Sequence, residues 1–336
     1  MPATTLHEEL FAKMRRLPRP SYPWPDFIHP GFREEREAYY AWIDRDYQFQ
    51  SAAAREKHKS HHLTDLAARG LPFLRSLDEL HPIASYAANG AMMDDYFDRC
   101  TRQEMLDIIK RIKALLMGED AKEPVTNGFL RQWWVLRQDA LRCKIPDRIY
   151  QRFVDSIIHT FNGYAEEKAY NAANIPPPLA VYTLIREATS GVIPFCKYVY
   201  LQKDYRQLPD DIMDHPHILR MEVICALLIG MHNDFISLPK ELIRPGDTMN
   251  IVKVFQHEHK MPLEEAYMAA LEHHDRYLQE FLVLQQHLPH FDSNWNDLVA
   301  GYVGDLGIMV SGVYAWHTND KTRYIPGGYV EGEFER

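Results

Sequence analysis

The sequence predicts an all-α protein, a single helical bundle around a central apolar cavity. Apolar residues recur at three- and four-residue spacing through nearly all of the chain after residue 31, as on the buried face of an α-helix. Alternating apolar and polar residues bounded by turns, the pattern of β-strands, are essentially missing. The segments 221–231 and 298–316 are apolar on more than one face, so their helices should lie centrally or line a cavity.

The chain is predicted to form one domain over residues 1–336, because no segment is long and polar enough to be a linker. Residues 1–31 are predicted to form an N-terminal strap. Prolines are concentrated in residues 17–31, and each disfavours helix for itself and for its predecessor. Three aromatic residues between these prolines would anchor the strap to the bundle: Tyr22, Trp24 and Phe27.

The helical pattern that follows the strap is interrupted by turns rich in glycine and proline. We expect about ten helices from its spacing. The stretches with this pattern are 32–57, 83–116, 129–142, 148–170, 178–201, 217–243, 263–287 and 295–317. The last stretch contains several glycines, which weaken a helix, so we expect a bend or a close helix contact there. These glycines are Gly301, Gly304, Gly307 and Gly312.

The composition is that of an ordinary globular protein, with 46% hydrophobic and 25% charged residues. A formal net charge of −9 argues against nucleic acid as a partner, because phosphate backbones require clustered Lys and Arg. It does not exclude an anionic small molecule, since bound metal ions can dominate the local field.

The sequence predicts a cytoplasmic protein without a membrane span. No unbroken run of eighteen or more apolar residues occurs, and residues 1–16 lack the apolar core of a secretory signal. The four cysteines are far apart and form no CxxC pair, so neither zinc nor a disulfide framework is indicated. They are Cys100, Cys143, Cys196 and Cys225.

Asp94, Asp95 and Asp98 form the first of two polar motifs. They follow the mostly small and apolar segment 84–93, so a buried helix would end in carboxylates. Asp94 and Asp98 are one turn apart and share a helix face. Buried carboxylates repel one another unless cations compensate them, which favours a metal site. The alternative is a solvated acidic surface patch.

Asn233, Ser237 and Glu241 form the second motif. Their four-residue spacing places them on one helix face over two turns, after the apolar run 223–230. An amide, a hydroxyl and a carboxylate offer three types of oxygen ligand, a mixed set that suits Mg²⁺. The alternative is the ordinary polar face of a helix end. Because Mg²⁺ completes its coordination with waters and substrate phosphates, the two motifs together predict a diphosphate-binding enzyme.

Both motifs resemble the metal-binding motifs of class I terpene synthases, the microbial cyclases in particular, which are DDxxD and NDxxSxxxE. Arg323 and Tyr324 are similar to the RY pair of that family, and Arg186 lies near the position of its pyrophosphate-sensing arginine. The resemblance covers nearly the whole chain. It implies a class I terpenoid synthase-like helical bundle. Without it, Arg186 would equally suit a structural salt bridge, and Arg323 a surface charge.

The resemblance also implies a site for three Mg²⁺ ions, for which Mn²⁺ can substitute. The implied metal ligands are Asp94, Asp95, Asp98, Asn233, Ser237 and Glu241. The implied contacts to the diphosphate in the closed site are Arg186, Lys240, Arg323 and Tyr324. In related proteins, the residues three and four positions after the sensor arginine relay substrate binding. Here these positions hold Thr189 and Ser190, which depart from the family pattern. Aromatic candidates for the pocket wall, where ring faces would stabilise a carbocation, are Tyr86, Phe97, Phe195 and Trp316.

The function implied is a terpene cyclase, a carbon–oxygen lyase that ionises a linear prenyl diphosphate and cyclises the carbocation. Farnesyl diphosphate is favoured as substrate, and geranylgeranyl diphosphate is a close second. The product would be a sesquiterpene or diterpene, either a hydrocarbon or an alcohol. Helical domains of this kind often form homodimers.

Two other functions compete with this interpretation. A prenyl diphosphate chain-elongating synthase would share the fold and metals, but it normally carries a second aspartate-rich motif in place of the Asn/Ser/Glu set. A non-catalytic helical scaffold or binding protein is the second alternative, and the intact motifs argue against it.

The remaining histidines carry no recognised metal signature. No HExxH or ExxH pattern occurs in the sequence. The histidine-rich segments 58–62 and 273–274 are therefore interpreted as solvated helix faces.

Overall fold

A computed structural model describes residues 12–14, 16–47, 49, 51–244, 246–319 and 323–324. Within these ranges the chain forms a series of α-helices and one short 3₁₀ turn, Tyr205–Gln207. The helices are α1 (Phe32–Asp46), α2 (Ala52–Lys59), α3 (Leu63–Gly70), α4 (Leu77–Phe97), α5 (Arg102–Met117), α6 (Gly128–Arg142), α7 (Asp147–Ala173), α8 (Leu179–Thr189), α9 (Ile193–Val199), α10 (Asp210–Met213), α11 (Pro216–Glu241), α12 (Ile251–His259), α13 (Leu263–Gln286) and α14 (Asn296–Asn319).

The all-α prediction is confirmed, and the described ranges contain no β-strand. The helices outnumber the expected ten or so for two reasons. Helices α3, α10 and α12 lie outside the predicted stretches, and some long predicted stretches are divided by local signals. The stretch 83–116 is interrupted before Thr101. Thr101 is the N-cap of α5 and forms a capping box with Glu104. The stretch 178–201 is interrupted at Gly191, which has a φ of +69°, a left-handed conformation that favours glycine.

Helix α11 is the central element of the bundle and contacts α8, α12, α13 and α14. By length and composition α11 and α14 could each cross a membrane, with a mean hydropathy of 1.4 over the most apolar window. In this fold 89% of that window in α11 and 61% in α14 are buried. Such burial is typical of core helices in a soluble protein, because their apolar side chains are already removed from water.

Of the strap predicted over residues 1–31, residues 1–11 lie outside the described residues and residues 12–14 are helical. Residues 18–31 contain no helix and lie against the bundle. The indole of Trp24 packs edge-on against Phe281, with ring centroids 5.1 Å apart. The same indole lies against Gly307, where a Cβ atom would collide with it. The close contact expected at the glycines of α14 therefore occurs here. A second one occurs at Gly312, which lies against the backbone of α3.

Two helices that carry the polar motifs, α4 and α11, end beside the same cavity. The last turn of α4 is held by Lys168 of α7, whose Nζ donates to the carbonyl oxygens of Phe97 (3.1 Å) and Asp98 (2.8 Å). Cations near a helix C-terminus interact favourably with its unpaired carbonyl groups. This contact holds the last turn of α4, and with it Asp94 and Asp98, in place beside the cavity.

Candidate active site

A cavity of about 250 Å³ opens between α3, α4, α7, α8, α11 and α14. Its apolar part is lined by Leu63, Leu66, Tyr86, Ala87, Ala91, Val192, Phe195, Ile229, Met309, Val313 and Trp316. Its polar part is lined by Asp94, Asp98, Glu167, Asn171, Arg186, Asn233, Ser237, Lys240, Glu241, Arg244, Asp247, His317, Arg323 and Tyr324. Along both α4 and α11 the apolar lining residues precede the polar ones. The cavity therefore has an apolar end and a polar end.

The three aspartates of the first motif have different surroundings. Asp94 and Asp98 line the cavity, whereas Asp95 is buried and lies 3.5 Å from the Arg323 guanidinium. Burial, and then the charges of Asp98 and Asp95, raise the pKa of Asp94 well above its usual range. Asp98 is half exposed and forms an ion pair with Arg244 at 2.6 Å. Of the three carboxylates in this motif, those of Asp94 and Asp98 are therefore the two that a ligand in the cavity would contact.

The second motif also faces the cavity. Glu241 accepts a hydrogen bond from the Asn250 side chain at 2.8 Å, which orients its carboxylate. The Oδ1 of Asn233 accepts from Arg186 at 3.1 Å. Ser237 is 2% exposed, and its Oγ makes no hydrogen bond to any described residue. A buried hydroxyl without a partner costs free energy, so a ligand for Ser237 is expected in the cavity.

The residues at the polar end fit Mg²⁺, although they do not form a complete coordination shell. In the part of the chain that the structure describes, no three His, Cys, Asp or Glu side chains converge as a metal site. The donors present are instead carboxylate, amide and hydroxyl oxygens on two helices. Mg²⁺ usually takes one or two carboxylates and keeps waters and substrate phosphates as other ligands. The unpartnered Ser237 hydroxyl is an observation that supports this fit.

Arg186 of α8 lies between the two ends of the cavity and is held by α11. Its Nη2 donates to the Gly230 carbonyl at 2.8 Å and to the Asp234 carboxylate at 2.6 Å. Burial raises the pKa of Asp234 to about 7 even though Arg186 opposes this change. The Nε of Arg186 makes no hydrogen bond to any described residue. Arg186 therefore forms a structural salt bridge and also lines the cavity, while its contact with a diphosphate stays a prediction.

The remaining diphosphate candidates, Lys240, Arg323 and Tyr324, all line the polar end. Arg323 is 8% exposed, so its guanidinium is not a surface charge. The hydroxyl of Tyr324 accepts a hydrogen bond from the Asn233 amide at 3.1 Å. The C-terminal pair and the second motif are thereby in direct contact.

Three of the four aromatic candidates, Tyr86, Phe195 and Trp316, line the apolar end. The Tyr86 hydroxyl donates to the Gly191 carbonyl at 3.0 Å, and the Trp316 indole donates to the His62 carbonyl at 3.1 Å. Both rings are fixed by these bonds. Phe97 lies outside the cavity, where it is buried against Phe161 and Tyr164, so its ring belongs to helix packing.

Thr189 and Ser190 end α8 and line the cavity beside Gly191. Ser190 donates to the Glu187 carbonyl at 3.0 Å, a local bond that terminates the helix. Neither side chain carries a charge, and a relay through these two positions stays a prediction.

The comparison with known families agrees with this geometry. The family described as terpene synthase family 2, C-terminal metal binding, matches residues 86–280. This match spans more than half of the chain and includes both polar motifs. The chain belongs to this family. It is a class I terpene synthase.

Curated relatives of this terpene synthase match along most of their length. The (+)-eremophilene synthase of Sorangium cellulosum is 25% identical over 307 residues, which cover 88% of this chain and 89% of that protein. The (+)-T-muurolol synthase ((2E,6E)-farnesyl diphosphate cyclizing) of Roseiflexus castenholzii is 29% identical over 314 residues, which cover 91% and 93%. These relatives support terpene cyclase activity.

Solved structures show the same fold. The SVS_A2 protein from ancestral sequence reconstruction superposes with a TM-score of 0.78 at 22% identity, covering 90% of each chain. An α-eudesmol synthase superposes with a TM-score of 0.77 at 20% identity, covering 90% of this chain and 99% of that chain.

Several polar side chains in the cavity of this terpene synthase were missed by the sequence analysis. Glu167 and Asn171 are four residues apart on α7, so a shared polar helix face was the signal for them. Burial raises the pKa of Glu167 to about 7. Arg244 comes about one turn after Glu241, and His317 follows Trp316. These two residues adjoin predicted site residues, but nothing in the sequence shows which way their side chains point.

Proposed function

We propose that this terpene synthase is a Mg²⁺-dependent cyclase that ionises a linear prenyl diphosphate and cyclises the resulting carbocation. The supporting observation is that both polar motifs open into one end of a cavity whose other end is apolar. A prenyl diphosphate has the same polarity, with an anionic head and a hydrocarbon tail. The expected product is a sesquiterpene or diterpene hydrocarbon or alcohol, and diphosphate is released.

The polar end would hold the diphosphate. Asp94 and Asp98, together with Asn233, Ser237 and Glu241, would hold the metal ions, while Asp95 supports the site through Arg323. Bound Mg²⁺ would supply Lewis-acid stabilisation of the charge on the departing diphosphate. Three Mg²⁺ ions are proposed, and Mn²⁺ is proposed as a substitute.

The basic side chains at the polar end would stabilise the same charge. A guanidinium group can bind two phosphate oxygens at once, and Arg186 and Arg323 both line the cavity. Lys240 and Tyr324 would add a point charge and a hydroxyl donor. When the bond between the allylic carbon and the diphosphate oxygen breaks, the electron pair leaves with the diphosphate. Donors already in place stabilise that charge without reorganisation.

The apolar end would fold the hydrocarbon chain and exclude water from the carbocation. The rings of Tyr86, Phe195 and Trp316 present π-faces or edges that are fixed by packing, and a π-face attracts a cation by about 0.5–2 kcal/mol. The cation would be quenched by loss of a proton, which gives a hydrocarbon, or by capture of one water, which gives an alcohol.

Farnesyl diphosphate is the proposed substrate, and geranylgeranyl diphosphate is the second choice. The cavity volume of about 250 Å³ lies below the range of roughly 300–1,000 Å³ typical of ligand pockets, which favours the shorter chain. The Roseiflexus relative is named as cyclising (2E,6E)-farnesyl diphosphate, and this supports the same choice.

Incubation of the purified protein with MgCl₂ and, separately, geranyl, farnesyl and geranylgeranyl diphosphate tests the proposal. Products are extracted into hexane and analysed by gas chromatography–mass spectrometry, with an EDTA sample as the metal control. A cyclic product from farnesyl diphosphate that disappears with EDTA is expected. A product only when isopentenyl diphosphate is added would instead indicate a chain-elongating synthase. No product, with Mg²⁺ and pyrophosphate still bound, would indicate a non-catalytic scaffold.

Asp94→Ala and Asn233→Ala are the matched variants for this assay. Each should abolish turnover and leave the helical circular dichroism spectrum unchanged. Turnover retained in either variant would remove the metal-binding assignment at that position.

We further propose a cytoplasmic location and a homodimeric state, with neither nucleic acid nor a membrane as partner. All four cysteines are free thiols, which fits a reducing compartment. The net charge of −9 remains unsuited to nucleic acid. Size-exclusion chromatography with light scattering tests the dimer.

A further inference from the structure

We infer that Tyr22, His232, His274 and His317 are positioning residues for Asn233, because they form a chain of hydrogen bonds that holds its side-chain amide in one orientation. The inference rests on the proposed metal-binding role of Asn233. These four residues come from the strap, α11, α13 and α14. They therefore connect the strap to the polar end of the cavity.

The chain of hydrogen bonds runs from the cavity to the protein surface. Its links are Asn233 Nδ2 to His317 Nε2 (2.9 Å), His317 Nδ1 to His232 Nε2 (3.2 Å), His232 Nδ1 to Tyr22 OH (2.9 Å), Tyr22 OH to His274 Nε2 (2.8 Å), and His274 Nδ1 to Asp275 Oδ1 (3.0 Å). His232 and His274 are 0% exposed, whereas the Asp275 side chain is 53% exposed. The interpretation of segment 273–274 as a solvated helix face is therefore wrong for His274.

The surface end fixes the direction of the outer links. The Asp275 carboxylate can only accept, so the His274 Nδ1 carries a hydrogen, and in a neutral imidazole the Nε2 is then the acceptor. Tyr22 must then donate its single hydroxyl hydrogen to His274. The Tyr22 oxygen is left to accept from the Nδ1–H of His232, so the Nε2 of His232 is an acceptor as well.

The cavity end agrees with this direction. The Nδ1 of His317 lies 3.0 Å from the Val313 carbonyl oxygen, which can only accept, so this Nδ1 also carries the hydrogen. That hydrogen is shared with the His232 Nε2, which the outer links have already made an acceptor. The Nε2 of His317 then accepts from the Asn233 amide. Every donor in the chain points from the cavity towards Asp275.

This directed chain decides which side-chain atom of Asn233 is turned towards His317 and which towards Arg186. The amide nitrogen of Asn233 donates to His317 and to the Tyr324 hydroxyl at 3.1 Å. Its oxygen is turned towards the Arg186 guanidinium. If the amide were flipped, its nitrogen would face the Arg186 guanidinium, so that two donors would meet. Its oxygen would face the His317 Nε2, so that two acceptors would meet. The oxygen, which is the atom that a metal ion requires, is thereby kept on the side of Arg186, which lines the cavity.

The tautomers of the three histidines can be measured on the unmodified protein. Two-bond ¹H–¹⁵N correlation spectra of protein labelled at histidine distinguish Nδ1–H from Nε2–H imidazoles. We expect Nδ1–H for His232, His274 and His317, the less common tautomer of a neutral histidine in water. An Nε2–H tautomer at His232 or His317 would overturn the inference, whatever the function of the protein.

A second experiment measures the effect on metal binding without turnover. Mg²⁺ is titrated calorimetrically into protein that contains inorganic pyrophosphate, for the wild type, Tyr22→Phe and Tyr314→Phe. Tyr314 packs against Tyr22 at 5.3 Å between ring centroids, but its hydroxyl makes no hydrogen bond to any described residue. Outer-shell partners of metal ligands typically contribute about 10- to 100-fold in affinity. We therefore expect about tenfold weaker Mg²⁺ binding in Tyr22→Phe and wild-type binding in Tyr314→Phe.

Equal Mg²⁺ affinity in the wild type and Tyr22→Phe would show that the chain of hydrogen bonds contributes to packing and not to metal binding. Failure of the wild type to bind Mg²⁺ with pyrophosphate would instead refute the proposed function. If Tyr22→Phe does not fold, His317→Gln and His317→Leu take its place. Glutamine supplies an acceptor for Asn233 and leucine does not, so equal affinity in these two variants would contradict the inference.

Discussion

The guanidinium of Arg244 lies 2.6 Å from a carboxylate oxygen of Asp98, and this ion pair joins the end of α4 to the segment after α11. Both side chains line the mouth of the cavity. The Asp98 side chain is 46% exposed, and an ion pair in such a position contributes only about 0–1 kcal/mol to stability. The ion pair is therefore expected to affect ligand binding in the cavity more than the stability of the fold.

Arg244→Gln is expected to lower turnover at least about tenfold and to change the melting temperature little. The weak energetics of an exposed ion pair limit the effect on stability, whereas a cation lost from the mouth removes a candidate phosphate contact. Steady-state kinetics and differential scanning calorimetry measure the two effects.

Arg276→Gln is the matched control for this variant. Arg276 pairs with Glu272 at 2.7 Å on α13, and both side chains are 69% exposed. This control should leave both turnover and melting temperature unchanged. If the two variants behave alike, Arg244 has no role at the site.

Asp94→Asn should raise the melting temperature in EDTA while lowering turnover by about a hundredfold or more, as loss of a metal ligand predicts. Burial and neighbouring carboxylates raise the pKa of Asp94, so its charged form is disfavoured in the folded state. That cost appears as pH rises above the pKa of the unfolded chain. Asparagine removes the cost, so the gain in melting temperature should grow between pH 4 and pH 8.

Calorimetry of the wild type and Asp94→Asn in EDTA across this pH range tests the sign. A variant that is less stable than the wild type at pH 8 would mean that the Asp94 carboxylate is stabilised by its surroundings. With MgCl₂ and pyrophosphate present, the difference in melting temperature between the wild type and the variant should disappear, because bound cations compensate the Asp94 charge.

The helices could be predicted from the sequence because burial imposes the apolar spacing that was observed. Their boundaries depended on smaller signals. The Thr101 and Glu104 capping box is readable as S/T-x-x-E and would have separated α4 from α5. The break at Gly191 was less readable, since glycine also occurs inside α14, where it serves close packing with Trp24 and with the backbone of α3.

The site was predictable where its residues are close in the sequence, as in the two motifs. The hydrogen-bonded histidines were not, because His232, His274 and His317 meet only after three helices and the strap have packed. Sequence spacing shows which face of a helix a residue occupies, but not which residue of another helix opposes it. The same reason explains why Phe97, on the motif helix itself, lies outside the cavity.

Trp316→Ala is expected to change the product mixture or lower its yield, because it removes a fixed ring from the apolar end. Trp316 is 4% exposed, and truncation of a buried tryptophan costs about 3–5 kcal/mol, so melting temperature must be measured alongside. Trp316→Phe keeps an aromatic face but loses the bond to the His62 carbonyl and part of the buried ring volume. Product analysis by gas chromatography–mass spectrometry should show a smaller change for phenylalanine. An unchanged profile in the alanine variant would assign Trp316 to the structural core alone.

The buried cluster of His81, Glu35 and Asp139 predicts a loss of stability at alkaline pH. His81 lies 2.9 Å from a Glu35 oxygen and 3.2 Å from an Asp139 oxygen. Burial alone would lower the pKa of His81, but the two carboxylates raise it to about 10. A folded-state pKa above the unfolded value of about 6.5 means that this contribution is complete below pH 6.5 and is lost as pH rises through about 10.

His81→Gln removes the titrating cation and keeps a hydrogen-bonding side chain. The melting temperature of the wild type should exceed that of the variant most clearly near pH 6, and the difference should shrink steadily towards pH 10. Burial also raises the pKa of Glu35, so ionised Glu35 without its cation is a further cost to the variant at pH 6. A difference that stays constant from pH 6 to pH 10 would show that His81 is not charged in the folded protein.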